Sequence, residues 1–100
     1  MFSFSKQPWE ETSRAVDFAS SAELVAGETI ASATVFVSML LDPTQTPLPS
    51  LLVSSDIDGT LVRFRVAGGV SGENYRITVR IITNAGHRRE VDVLLFVQEY

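Results

Sequence analysis

No cysteine occurs among the 100 residues, so the chain can form no disulfide and offers no thiolate to a metal or a substrate. It holds one lysine (Lys6), one histidine (His87) and one tryptophan (Trp9). A single histidine beside a two-arginine run, with no second histidine and no cysteine, does not make a catalytic triad and reads as a turn residue. Basic charge is also short: eight Lys and Arg face twelve Asp and Glu, for a net charge of -4 and a pI of about 4.8. That balance argues against a general polyanion-binding role, and no nucleic-acid partner is expected. No apolar run approaches the ~20 residues of a membrane span, and Met1 to Lys6 lacks the form of a signal peptide. The expectation is a protein that stays clear of membranes, made in a cytosol and kept there or assembled there into something larger.

What the chain does have is alternation. Gly72-Glu73-Asn74-Tyr75-Arg76-Ile77-Thr78-Val79-Arg80-Ile81 alternates apolar and polar residues, as does Glu90-Val91-Asp92-Val93-Leu94-Leu95, and Asn84-Ala85-Gly86 lies between them. Such a pair reads as a hairpin, with Gly86 in the left-handed position of a type I turn plus bulge. If Thr83 faces His87, the register follows: Val79 opposite Val91, Ile77 opposite Val93 and Tyr75 opposite Leu95, with Arg80–Glu90 and Thr78–Asp92 on the wetter face. Six of the seven arginines fall between Arg63 and Arg89. Arg76 and Arg80 alternate with apolar residues and have acidic neighbours across the hairpin, so they read as a solvated sheet face. Tyr75, just past a glycine-containing turn, stands where a sandwich domain places a corner tyrosine, its ring buried and its hydroxyl bonded to nearby backbone.

Upstream, Arg14 to Phe18, the β-branched stretch Thr29 to Val37, Leu51 to Val53 and Leu61 to Val66 each read as short strands. Ser20 to Val25 is compatible with a helical turn. Asp42 to Pro49 holds three prolines, which remove ladder donors, so it reads as an exposed loop. About seven strands with turn signals every 8–12 residues give an all-β, immunoglobulin-like antiparallel sandwich. It is expected as one domain over residues 13–100, preceded by an arm over residues 1–12. That aromatic-dotted terminus is either a first strand or an extension that orders on a partner.

Leu51 to Val62 contains Asp56-Ile57-Asp58-Gly59-Thr60 after an apolar run and resembles the first motif of haloacid-dehalogenase-type phosphatases. That resemblance implies a phosphorus-attacking Asp56, a general acid and base at Asp58, and Mg²⁺ to screen the charge. The remainder of the chain departs from it. Nothing after Val62 has a helical period long enough for a parallel α/β sheet, and the sole lysine lies far upstream. The tetrapeptide Asp56-Ile57-Asp58-Gly59 therefore reads as a turn, with Asp capping backbone N–H groups and Gly supplying positive φ. An EF-hand is excluded too, because the twelfth position from Asp56 is Ala67 where a bidentate Glu is needed. No catalytic residue, cofactor or metal is expected.

Four stretches carry a further resemblance: Phe4-Ser5-Lys6-Gln7-Pro8, Val16-Asp17-Phe18, Ala26-Gly27-Glu28-Thr29-Ile30-Ala31-Ser32-Ala33-Thr34-Val35 and Val66-Ala67-Gly68-Gly69-Val70-Ser71-Gly72-Glu73-Asn74-Tyr75-Arg76-Ile77. Together they resemble small phage-encoded Ig-like virion proteins, described as fibre-to-tail adaptors. The departure is at Ser38 to Ser50, which is longer and richer in proline. The resemblance implies a non-enzymatic virion subunit, present in multiple copies in a ring and assembled in the bacterial cytoplasm. Such a subunit joins a tail, baseplate or neck protein to a neighbour such as a fibre. Aromatics carry much interface energy, so Phe2, Phe4 and Trp9 are the candidate anchors on the arm, and Pro43, Pro47 and Leu48 on the proline-rich loop. An Ig-like carbohydrate-binding or adhesin module is the alternative, and it needs an exposed aromatic platform.

Overall fold

A computed structural model describes residues 2–18 and 27–98. Seven strands form: β1 (Phe2–Lys6), β2 (Glu11–Asp17), β3 (Ile30–Met39), β4 (Leu52–Asp58), β5 (Leu61–Ala67), β6 (Asn74–Thr83) and β7 (Arg88–Val97), with one 3-10 turn at Pro49–Leu51. They make an all-β sandwich of two sheets, ordered β1-β7-β6-β3 and β2-β5-β4. Pairing is antiparallel except for β1, which runs parallel to β7. The helical turn expected within Ser20 to Val25 lies outside the described residues.

Alternation decides which face each strand buries. On β5, Val62, Phe64 and Val66 point inward at 0–2 % exposure while Arg63 and Arg65 point out. Opposite them, Tyr75, Ile77, Val79 and Ile81 of β6 and Val93, Leu95 and Val97 of β7 close the core. Each such aliphatic side chain contributes about 1.5–3 kcal/mol by leaving water. The hairpin has the register the sequence demands, with Tyr75 opposite Leu95, Ile77 opposite Val93, Val79 opposite Val91, Thr78 opposite Asp92 and Arg80 opposite Glu90. Gly86 has φ +83° and its N–H donates to the Thr83 carbonyl at 3.0 Å. A side chain there would meet the left-handed penalty that glycine escapes.

The Tyr75 ring is 3 % exposed, and its hydroxyl accepts the Val70 N–H at 2.9 Å. This pins the β5–β6 loop to the start of β6. Tyr75→Phe keeps the ring and leaves the Val70 donor without its acceptor, which is expected to cost about 1–2 kcal/mol. Urea unfolding with an unchanged m-value would show it, and a loss below a few tenths would mean that water replaces the hydroxyl.

Several boundaries differ from the sequence reading. β4 runs through Asp56 and Asp58, so the reversal is confined to Gly59–Thr60 and these aspartates belong to a strand. Of the two forms open to the N-terminus, the structure shows a strand: Phe2–Lys6 is an edge of the four-stranded sheet, and Glu11 and Thr12 belong to β2. Arg80 pairs with Glu90 at 3.2 Å as the hairpin register requires. Arg76 faces Leu94 and instead spends its guanidinium on the carbonyls of Leu40 (3.4 Å) and Asp42 (3.2 Å).

Candidate docking interface

Because the strands run alternately up and down, their connections sort into two ends. The registers place the β1–β2 turn, the β3–β4 segment and the β5–β6 loop at one end, alongside the end of β7. The Gly59–Thr60 turn, the Asn84–Gly86 turn and residues 27–29 gather at the other.

The first end carries an apolar tip. Gln7, Pro8, Trp9 and Glu10 form a turn closed twice: the Glu10 N–H donates to the Gln7 carbonyl at 3.1 Å, and the Gln7 N–H donates to Glu10 Oε1 at 2.6 Å. Proline in the second position presets the turn's φ. Trp9 follows it and is 95 % exposed. Beneath the turn lies Lys6, only 2 % exposed. Its ammonium donates to the carbonyls of Gln7 at 3.0 Å, of Pro8 at 3.5 Å and of Gly68 across the sandwich. Burial holds its pKa below the usual lysine value, with Glu10 pulling the other way. Lys6 thus ties the Trp9 turn to the β5–β6 loop, whose Val70 is also largely exposed.

The proline-rich loop stands at the same end and is well organised. Asp42 Oδ1 accepts the Thr44 hydroxyl at 2.6 Å and the Thr44 N–H at 2.9 Å, and Oδ2 accepts the Thr46 N–H at 3.1 Å. The Thr44 hydroxyl first, then the two backbone donors, hold the Asp42 carboxyl down at about 2. Arg76 grips the loop from the sheet, Arg80 reaches Gln45 Oε1 at 3.3 Å, and the Leu48 N–H donates to the Val37 carbonyl at 2.7 Å. Leu41 projects at 92 % exposure.

The expected anchors therefore divide. Trp9, Pro43 and Pro47 are exposed at one end. Leu48 packs partly against the core, and so does Phe4, whose ring centroid is 6.4 Å from that of Phe64, with the Arg14 guanidinium 5.0 Å above it. Phe2 begins β1 paired with Val93, midway along β7 and away from that end. Sequence reasoning missed Lys6, Leu41 and Val70. For Lys6 a signal existed, since Phe2-x-Phe4-x-Lys6 alternates and puts the ammonium on the inward face.

The acidic motif has a different fate. Asp56 and Asp58 both face outward from β4 and meet Arg63 of β5, at 3.5 Å and 2.6 Å, all three side chains being half-exposed or more. Their carboxylates bond a guanidinium rather than capping backbone N–H groups, while Gly59 does take positive φ (+63°). At the far end His87 Nδ1 lies 2.8 Å from Glu28 Oε2, which also accepts the Thr83 hydroxyl at 2.6 Å. Threonine bonds the carboxylate and not the imidazole, so the three do not form a nucleophile–base–acid relay. No group of three His, Cys, Asp or Glu among the described residues could hold a metal ion. No helix among them is long and apolar enough to cross a membrane.

Fold and site together define a small all-β sandwich that presents an apolar, internally braced loop end. Over residues 6–96 the chain matches, and belongs to, the family described as "Podophage GP4 fiber-tail adaptor protein gp77". It is thus a phage fibre-tail adaptor-family protein and a virion component. No curated protein matches it.

Proposed function

We propose that this chain is a non-enzymatic adaptor that joins a tail, baseplate or neck protein to a neighbouring virion subunit such as a fibre, in several copies arranged as a ring. The carrying observation is Trp9, 95 % exposed on a turn closed by two hydrogen bonds and braced from below by Lys6. An indole carried on a braced turn loses less backbone entropy on docking than one on a loose arm, which suits an interface anchor. Val70 on the adjoining loop extends the contact, and Leu41, Pro43 and Pro47 continue it across the same end. Phe2 and Phe4 belong to the strand that supports it, with Phe4 turned to the core. The strand order, with a parallel β1 and a corner tyrosine at β6, supports an immunoglobulin-like sandwich, a scaffold that serves by its loops. Ring symmetry would multiply weak single contacts into stable attachment.

Quantitative mass spectrometry of purified particles tests this reading through the copy number of the chain relative to the portal and major tail proteins. A fixed ring-like stoichiometry supports it, and absence from intact particles overturns it. Trp9→Ala is expected to leave unfolding stability within about 0.5 kcal/mol, since an exposed side chain supports nothing beneath it. Incorporation should fall at least tenfold, as loss of an interface anchor costs about 2 kcal/mol or more. Normal incorporation of the variant would remove Trp9 from the contact.

A further inference from the structure

Joining two structures takes two surfaces, and the apolar end supplies one. We infer that the second is a basic groove on the outward face of the four-stranded sheet, near the opposite end, and that it takes an extended acidic segment of another virion protein. This rests on the adaptor reading above.

Two rows of outward side chains floor the groove, set by the pairing of β3, β6 and β7. Ser32, Ile82 and Arg88 form one row, and Thr34, Arg80 and Glu90 the next. They line a cavity of about 520 Å³. The Ile82 side chain is 43 % exposed, an apolar patch in a polar surround. Arg80 is already engaged, by Glu90 at 3.2 Å and Gln45 Oε1 at 3.3 Å. Arg88 has no carboxylate within ion-pair distance among the described residues, and Arg89 lies beside it on the wall.

The groove itself is lined by three arginines and one glutamate, in a chain of net charge -4. A polyanion would find too few cations, but a segment placing a carboxylate against Arg88 and an apolar side chain on Ile82 satisfies both. The Ser32 and Thr34 hydroxyls at the β3 edge offer hydrogen bonds to its backbone. Such a contact is weak alone and gains from repetition in an assembly.

The full-length, ¹⁵N-labelled protein can be titrated with a short peptide alternating Glu and Leu, with its Lys and Leu counterpart, and with inorganic phosphate. Saturating amide shifts at Ser32, Thr34, Ile82 and Arg88 with the acidic peptide alone, weakened by salt, support the groove. No shifts, equal shifts with the Lys peptide, or the same shifts with phosphate overturn it. Arg88→Glu should weaken the acidic peptide about fivefold, as reversal of an exposed ion pair does. Ile82→Ser, which leaves charge intact, should weaken it too and serves if the first variant fails to fold. In particles, normal copy numbers of both variants overturn the groove while leaving the adaptor reading intact. Absence of the wild-type chain overturns the adaptor reading, and the titration then judges the groove by itself. Self-association abolished by Arg88→Glu would put a second copy in the groove and overturn the assignment to another protein.

Discussion

Replacing Lys6 with alanine is expected to lower the unfolding free energy by about 2–4 kcal/mol, the sum of lost burial of its methylene stem and of three carbonyls deprived of a donor. Domains of this size have only about 5–15 kcal/mol to lose, so Tm should fall by roughly 10–25 °C. Lys6 is 2 % exposed, and its ammonium spans two connections that sequence separates widely, reaching from the Gln7–Pro8 turn to Gly68. Lys6→Met separates the contributions, because it keeps most of the stem and removes the donors. Burial holds the ammonium below its ordinary value of 10.5. Between that lowered value and 10.5 the unfolded chain binds more protons than the folded one, so stability rises with pH through the window and levels off above it. The wild type should therefore gain on Lys6→Met as pH climbs in thermal melts. A gap that stays constant or narrows would mean that the carbonyls solvate the ammonium better than burial penalises it. Loss of the brace should also loosen Trp9, the only tryptophan, so its fluorescence anisotropy falls in the variant before any unfolding begins.

Phe64→Ala is expected to cost about 3–5 kcal/mol, the usual range for emptying an aromatic site in a core that cannot fully collapse. Phe64 is 2 % exposed and central in β5, between β2 and β4. It also borders a cavity of about 150 Å³ between the β1 and β2 edges, lined by Phe4, Arg14, Val16 and Val93 among others. Truncation would merge the new void with that one and strip Phe4 of its ring partner. Hydrogen exchange should then quicken first in β1, the short edge strand, and only later in the β6–β7 hairpin. Equal protection of both elements in the variant would show that β1 draws its stability from β7 alone. Phe64→Leu, which refills most of the volume, should recover more than half of the loss.

Reading the chain as a string of residues reached the hairpin register, residue for residue, because period-two alternation allows one register and a slip would bury Arg80. It fell short at β4, where an Asp-x-Asp-Gly string looks like a turn by local preference. Arg63 on the neighbouring strand neutralises both aspartates and lets the ladder run to Asp58. The same limit applied to Arg76. Alternation assigns it an acidic neighbour across the hairpin, but its acceptors are the carbonyls of Leu40 and Asp42, 36 and 34 residues away. For the anchors, residue type marked Phe4, Trp9 and Leu48 alike as apolar. Only the packing distinguished a ring lodged against Phe64 and a leucine against the core from an indole left in water.

Composition and alternation by themselves determined that this protein is a cysteine-free all-β sandwich with Tyr75 at its corner, since burial of every second side chain is a local demand written directly in the sequence. Tertiary structure alone decided which residues meet. Lys6 with Gly68, Glu28 with His87, and the placing of the Trp9 turn and the proline-rich loop at one end all depend on where the strands reverse and how the two sheets face each other. Such long-range juxtapositions arise from the whole core closing at once, and no neighbouring residues in the chain encode them.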